Sequence, residues 1–331
     1  YELKPEEGFE AFLAAIHRVV EQHGHGSYFI FDCLSDLAAD WYSDQMLGNF
    51  FMLTCPYLFD METVAYFGLL RNHHSPHATV AISETTQLFL DVYRHKGRLY
   101  VHPLKVQQRY SPTMHMLHAW KGDQFIPVTD SSTIAEVLTS CAPSAFESVS
   151  TQLDVWHRTF LQTEPFAPRS APASPGVEDL NEIKSRLLRM AVSRDPRVLA
   201  LAEQYFELDD LLNIGRRMIG TGLIGGKAVG MLLARAILHH KDQRWDDLLE
   251  VHDSFHIGSD VFYTFLVRNG CWWMRENQKN PASFLTGAEK ARQRIMMGSF
   301  PPHIEQQFLD MLDYFGQSSI IVRSSSLLED N

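Results

Sequence analysis

The sequence has few cysteines, no long apolar run and no excess of positive charge. Its four cysteines, Cys33, Cys55, Cys141 and Cys271, lie far apart without CxxC spacing, and this pattern favours buried reduced thiols over a disulfide framework. No apolar stretch approaches the roughly 20 residues that a membrane-spanning helix needs, and no signal-peptide pattern follows Tyr1. We therefore expect a cytoplasmic protein that does not enter a membrane.

Acidic residues outnumber basic ones, 40 to 29, which gives a net charge of −11. No block of Lys and Arg could neutralise a run of phosphates, so nucleic acid is not an expected partner. The 16 histidines are densest at Asn72–His77. This group contains Pro76 and has no clustered Cys, Asp or Glu beside it, so the pattern favours a solvated loop over a metal site.

The length of 331 residues exceeds what one compact core usually needs and predicts two domains. Residues 163–176 hold four prolines and little to bury, which is typical of an extended linker. We expect an α/β domain over residues 1–162, this linker, and a second domain over residues 177–331.

Apolar patterning in the first domain alternates between helix and buried strand, which predicts a parallel α/β sheet. The expected helices are Gly8–Gln22, a stretch after Ser35, and Leu58–Leu70, and the expected strands are Tyr28–Asp32, Phe50–Leu53 and Ala78–Ile82. Two more strand patterns, Gln87–Arg94 and Arg98–His102, flank Lys96–Gly97. They predict an antiparallel hairpin that closes the sheet.

In the second domain, the helix patterns Val177–Met190 and Pro196–Glu207 precede a glycine-rich stretch, Gly220–Lys227. A helix-forming run, Ala228–Leu238, follows directly. Glycines let a backbone approach a ligand closely, the start of a helix supplies N–H groups, and Lys227 supplies a full positive charge. Together these features suit a polyphosphate.

Two other glycine motifs compete with this interpretation. The stretch Gly220–Gly225 spells the dinucleotide fingerprint GxGxxG, but Leu208–Ile219 before it predicts a helix end and a basic loop, where the fingerprint needs a strand. A P-loop would need glycine in place of Thr221 and Ser or Thr in place of Ala228. It also stays open that the glycines only turn the chain and that Lys227 is a solvated residue.

A second constellation of polar residues lies near the end of the chain. Gln317–Arg323 predicts a short buried strand with Arg323 at its end, followed by serines, Glu329 and Asp330. A guanidinium can hold phosphate oxygens in a fork, and Ser324 can add donors. The alternative is a structural ion pair between the arginine and one of the two carboxylates.

These two pieces resemble the signature of a known family, the nucleotide-binding domain at the front of phosphoenolpyruvate synthases and pyruvate phosphate dikinases. Gly225–Ala228 is similar to its Gly-Gly-Lys loop, and Val322–Asp330 is similar to its Val-Arg-Ser segment. Between them, Phe255–Leu266 resembles the family's strand-to-helix segment. The resemblance covers about residues 208–331 and departs from the family pattern at Ala228 and Ser326, neither of which removes a charge.

The resemblance implies an α+β lobe of ATP-grasp type, truncated at its C-terminal end, that binds ATP. It implies nucleotide contacts from Gly222, Gly225, Gly226, Lys227, Arg323 and Ser324, with Arg323 as the catalytic residue. In the family, phosphate passes from ATP to a histidine on a separate domain and then to pyruvate, with Mg²⁺ screening the charge. The metal-holding acids would lie beyond Asn331, so the metal ligands are unknown and this chain alone is not expected to complete catalysis.

Residues 1–130 resemble, more distantly, a RecA-like ATPase core in which Asp32 would orient Mg²⁺. No GxxxxGK[ST] precedes Asp32, so this residue fits a strand-end carboxylate or a helix N-cap equally well. The leading hypothesis is the ATP-binding part of a dikinase-like phosphotransferase with pyruvate or phosphoenolpyruvate as a partner. The rivals are a non-catalytic ATP-sensing or assembly protein and a scaffold without a ligand, and the oligomeric state stays open.

Overall fold

The computed structural model describes residues 1–71, 73–140, 153–166, 177–242, 244–250 and 253–324. The chain divides into two compact units: unit 1 comprises residues 1–36 and 47–154, and unit 2 comprises residues 37–46 and 155–331. Its mixture of helices and short sheets confirms the α/β class, while the RecA-like and ATP-grasp-type assignments stay predictions. None of the helices in the described ranges is both long and apolar enough to cross a bilayer.

The first part of the chain forms a two-stranded parallel sheet with helices around it. β1 (Tyr28–Phe31) pairs in parallel with β2 (Val64–Phe67). α1 (Phe9–His23) buries one face, as its three- and four-residue apolar spacing predicts. The first predicted helix and strand are therefore confirmed. The helices that follow are α2 (Ser35–Trp41), α3 (Asp44–Asp60) and α4 (Pro76–Thr85).

Two predicted strands are wrong, because they are helical. Phe50–Leu53 lies inside α3, Ala78–Ile82 lies inside α4, and the expected helix Leu58–Leu70 instead contains β2. α3 is buried on several sides, including Phe50 and Phe51 at 0% exposure, so the continuous apolar run Phe50–Leu53 mimics a buried strand. The start of α4 carries its own signal, because Ser75 accepts the Ala78 N–H and a proline follows it.

The predicted hairpin is confirmed, but it does not close the parallel sheet. It forms β3 (Leu88–His95) and β4 (Arg98–Val106) in a separate antiparallel sheet of order β3-β4-β5-β6, completed by β5 (His118–Lys121) and β6 (Gln124–Pro127). Positive φ angles of 47° at Lys96 and 74° at Gly97 suit a two-residue hairpin turn. α5 (Ser131–Thr139) covers this sheet by packing Val137 against Tyr93 and Tyr100.

The histidine-rich stretch is not solvated throughout. His74 is only 8% exposed, and its Nε2 lies 2.7 Å from Oγ of Ser35, which also accepts the Leu70 N–H. The expected solvated loop is therefore wrong for His74. Among the described residues, no group of three or more His, Cys, Asp or Glu could hold a metal ion.

Unit 2 is built mainly from helices. They begin with α6 (Val155–Thr163), α7 (Val177–Ala191), α8 (Pro196–Tyr205), α9 (Leu208–Arg216) and α10 (Gly226–Lys241), which confirms the two helices predicted before the glycines. Trp156 packs into one core with Leu187 and Leu211, so residues 155–163 join unit 2 although the sequence analysis gives residues up to 162 to the first domain. Most of the expected linker, residues 167–176, lies outside the described residues, and the domain limits stay a prediction.

A second pair of parallel strands lies in unit 2. β7 (Met218–Ile219) pairs with β8 (His256–Ile257), and α11 (Trp245–Leu248), α12 (Ser259–Arg268), α13 (Trp272–Gln278), α14 (Ala288–Met297) and α15 (Pro302–Phe315) complete the described elements. Ile219, Val261 and Ile304 form a small core. This core packs α12 and α15 against the end of β7, where the glycine-rich stretch begins.

Candidate functional site

The glycine-rich stretch connects the end of β7 to the start of α10. Because β8 pairs with β7 in parallel, the stretch lies at the carboxyl edge of a strand pair, where α/β proteins commonly bind ligands. The argument that no strand precedes the glycines is therefore wrong, since β7 ends at Ile219. The loop still differs from a dinucleotide fingerprint. Gly225 is the N-cap of α10, whereas the last glycine of the fingerprint packs a helix against a strand.

Two glycines are required by the conformation of this loop. Gly220 has a φ of 72° and Gly222 a φ of 92°, a region that side chains strongly disfavour. A Cβ at Gly220 would also clash with Val261 and lie 2.6 Å from Oδ1 of Asp260, and a Cβ at Gly222 would lie 2.5 Å from Oγ of Ser259. Close packing against α12 thus explains both glycines.

Thr221, between these glycines, makes the densest set of polar contacts in the loop. Its N–H donates to Oδ1 of Asp260 at 2.8 Å, and its Oγ1 lies 2.6 Å from Oδ2 of Asp260 and 2.9 Å from Oγ of Ser43. Thr221, Asp260 and Ser43 are 4%, 3% and 1% exposed. The middle of the loop is therefore held by buried hydrogen bonds to residues distant in sequence.

Further hydrogen bonds hold both ends of the loop. The Gly220 N–H donates to Oε1 of Gln307 on α15 at 2.7 Å. The Leu223 N–H donates to Oγ of Ser259, and the Ile224 N–H donates to the carbonyl oxygen of Ala191. These contacts hold the two ends of the loop against α15, α12 and the end of α7.

Lys227 lies in the first turn of α10 and is exposed. The N-cap of this helix is Gly225, which has no side chain of its own to cap the first turn. A positive charge at this end opposes the helix dipole by about 0.3–1 kcal/mol, whereas the basic residues of the last turn, His239, His240 and Lys241, lie at the favourable end. Helix stability alone therefore does not account for a lysine at this position.

The structure brings the two sequence pieces together through this lysine. Lys227 Nζ donates to the carbonyl oxygen of Ser324 at 3.2 Å, across 97 positions of the sequence. Arg323 is the neighbour of Ser324, so its backbone lies near Lys227. Of the six predicted nucleotide-binding residues, Lys227 and Ser324 are in direct contact, while Gly222 and Gly225 are buried in the loop.

The predicted buried strand Gln317–Arg323 is wrong. Residues 319–324 belong to no helix or strand, and Ile321 and Val322 are 80% and 81% exposed. A strand needs a neighbour for its backbone hydrogen bonds, and the described residues provide none for this segment. Arg323 is exposed as well. Its alternative ion-pair partners, Glu329 and Asp330, lie outside the described residues.

The sequence analysis missed the residues that hold the loop. Asp260 follows Gly258 and Ser259 at the start of α12, where an acidic residue is expected for helix stability alone. Ser43 lies 178 positions before Thr221, and no local pattern links the two. Only Gly258 carries a partial signal, because a Cβ there would clash with the carbonyl of Thr221.

The described residues near the loop do not form a metal site. Both oxygens of Asp260 accept from Thr221, and the described ranges hold no cluster of three metal-binding side chains. The Mg²⁺ expected from the resemblance therefore has no ligand set here and stays a prediction. An open cavity of about 630 Å³, lined by residues such as Phe284 and Leu285, includes no residue of the loop.

Comparison with known proteins bears on the same segment. Residues 221–331, about a third of the chain, match the family model described as the pyruvate phosphate dikinase AMP/ATP-binding domain. No curated protein and no solved structure matched the chain. The match supports ATP binding by this part of the chain and confirms the resemblance drawn from its two motifs. From Thr221 onward, the chain is similar to the AMP/ATP-binding domain of pyruvate phosphate dikinase.

Proposed function

We propose that the chain binds the phosphates of ATP between the start of α10 and the segment around Arg323, as the ATP-binding part of a dikinase-like phosphotransferase. The observation that carries this proposal is the hydrogen bond from Lys227 Nζ to the carbonyl of Ser324. It joins the two pieces of the family signature, which are far apart in sequence. The match of residues 221–331 to an AMP/ATP-binding domain family supports the same assignment.

The start of α10 provides the positive potential. The first-turn N–H groups of a helix point out of its N-terminus and carry a partial positive charge, which favours bound phosphate. Lys227 adds a full charge at the same end. Because the N-cap is Gly225, which has no side chain, Gly225 and Gly226 leave room for a phosphate group to approach the start of the helix.

Arg323 provides the second charge. Its exposed side chain leaves the guanidinium available to hold two phosphate oxygens in a fork. In phosphoryl transfer, such a group stabilises the charge on the transferred phosphate. We assign it the catalytic role on this basis, with pyruvate or phosphoenolpyruvate as the partner substrate and Mg²⁺ bound together with the nucleotide.

Calorimetric titration of the chain with Mg-ATP tests the proposal. Lys227→Ala should weaken binding by about 30-fold, since a hydrogen bond between two charged groups contributes about 2 kcal/mol. Lys241→Ala is the matched control, because it removes the same charge from the last turn of the same helix. Equal affinity of the wild type and Lys227→Ala would overturn the proposed site.

A second titration compares ATP with AMP. If the contacts are mainly to the terminal phosphates, ATP binds more tightly than AMP in the wild type, and Lys227→Ala removes most of that preference. An undiminished preference in the variant would show that other residues recognise the phosphates.

A further inference from the structure

A residue far upstream of the matched family segment contacts the glycine loop. Ser43 belongs to residues 37–46, which include most of α2 and the first residues of α3 and are part of unit 2. Its Oγ lies 2.9 Å from Oγ1 of Thr221, and both side chains are almost completely buried. The phosphate loop is therefore held in part by a segment that no motif connects to it.

The direction of the hydrogen bonds follows from the groups involved. A carboxylate can only accept, so the single hydroxyl proton of Thr221 is donated to Oδ2 of Asp260. The 2.9 Å contact then requires Ser43 to donate its own proton to Thr221. Ser43 in turn accepts the Met46 N–H at 3.4 Å. The three hydrogen bonds thus form a chain in which Met46 donates to Ser43, Ser43 to Thr221, and Thr221 to Asp260.

The same carboxylate also holds the backbone of Thr221. Oδ1 of Asp260 accepts the Thr221 N–H at 2.8 Å, and the Asp260 N–H donates to the Thr221 carbonyl at 3.3 Å. Charge-assisted hydrogen bonds in a buried setting are strong, and a satisfied network of them permits one conformation. The residue between the two left-handed glycines is thereby fixed on both its main chain and its side chain.

We infer that Ser43, Thr221 and Asp260 are positioning residues of the phosphate loop, and that residues 37–46 are a part of the nucleotide site. This inference rests on the proposed function. The three side chains set the path of the backbone between Gly220 and Gly225, and thereby the direction of the N–H groups at the start of α10. Phosphate affinity then depends on a hydroxyl at position 43, which lies outside the matched segment.

Full-chain variants test this inference with two measurements, Mg-ATP titration and hydrogen exchange of the peptide that covers residues 220–226. Ser43→Ala should bind Mg-ATP about threefold to tenfold more weakly, the loss expected for one hydrogen bond, and its loop amides should exchange faster. Thr221→Val should show larger effects, and Thr221→Ser, which keeps the hydroxyl, should restore both measurements.

Thr163→Val is the control for a general effect of removing a buried hydroxyl. Thr163 is 2% exposed in unit 2, and its hydroxyl donates to the carbonyl of Thr159. Its loss should leave ATP affinity unchanged. A similar loss of affinity in this control, or no rescue by Thr221→Ser, would overturn the inference in favour of a general packing effect.

The two possible failures are distinguishable. If the wild type binds Mg-ATP and Ser43→Ala binds it equally well, the inference fails while the proposed function stands. If the wild type does not bind, the proposed function fails and the role of residues 37–46 in a nucleotide site fails with it. Unchanged loop exchange in Ser43→Ala overturns the positioning role in either case.

Discussion

The two halves of the candidate site are held in opposite ways. The loop half is buried, with its glycines packed against α12 and Thr221 hydrogen-bonded to Asp260 and Ser43. The arginine half belongs to no helix or strand and is exposed, and a hydrogen bond from Lys227 to Ser324 joins it to the loop half. The fold thus holds the glycine-rich loop in place and leaves Arg323 on an exposed segment. Changes in the loop should affect both stability and binding, whereas changes around Arg323 should affect binding alone.

The largest effect is expected for Gly220→Ala. The new Cβ would clash with Val261 and approach Asp260 in a backbone conformation that alanine disfavours. We expect the free energy of unfolding to fall by about 2–4 kcal/mol, measured by denaturant titration. Gly230→Ala is the matched control, because no atom lies within 4 Å of a Cβ in that α10 position, and it should stabilise the chain by about 0.5–1 kcal/mol. Equal effects of the two changes would contradict the packed loop.

Arg323→Ala should show the reverse pattern. Removing the guanidinium should weaken Mg-ATP binding by about 10-fold to 100-fold, the usual contribution of charge-assisted hydrogen bonds. The free energy of unfolding should change by less than about 0.5 kcal/mol, because the side chain is exposed. Arg292→Ala, which removes another exposed arginine from α14, should change neither quantity. A loss of stability in Arg323→Ala would mean that this half is packed after all.

The strand beside the loop should make the loop half sensitive to pH. Burial lowers the pKa of His256 on β8 below its ordinary value of 6.5. Between the two pKa values, the unfolded chain binds more protons than the folded chain. The contribution of neutral His256 to the free energy of unfolding is therefore fully present above about pH 6.5. It is lost as the pH falls toward the pKa of His256 in the folded chain. In His256→Gln, the free energy of unfolding should depend less steeply on pH between 6.5 and 5. The decrease in slope should correspond to at most one bound proton. An unchanged slope would contradict the burial of a neutral imidazole.

The smallest effect is expected for Ile321→Thr. Ile321 is 80% exposed, so the change should alter the free energy of unfolding by less than about 0.5 kcal/mol. The same substitution at Ile219, which is 1% exposed on β7, should cost about 1–3 kcal/mol. Thermal unfolding of the pair measures the difference between the two halves directly. Similar losses at both positions would show that residues 319–324 pack against other residues.

The fold was predictable where local pattern and packing agree. α1 has a clear apolar face, and Lys96–Gly97 has the turn chemistry of a hairpin, so both were found. The helix around Phe50–Leu53 was predicted as a strand, because a helix buried on several sides has no polar face to reveal its period. The two-residue strand β7 was missed for another reason: a pair of residues has no period at all, and it is a strand only because β8 lies beside it.

For the candidate site, the sequence indicated the charged residues and the glycines but not the residues that hold the loop. Lys227, Arg323 and the glycines stand in motifs whose order can be read along the chain. The strand before Arg323 was predicted from its apolar residues, but apolar composition does not supply the neighbour that a strand requires. Ser43 and Asp260 look like ordinary helix-start residues, and nothing in their surroundings relates them to the loop.

The sequence by itself determined the chemistry of this protein's candidate site, because a lysine at a helix start and an arginine in a serine-rich segment are local features. Tertiary structure alone decided which residues hold that chemistry in place. Ser43 and Asp260 reach Thr221 from stretches 178 and 39 positions away. Such contacts arise from the packing of α12 and residues 37–46 around the loop, and packing depends on the whole fold rather than on any local pattern.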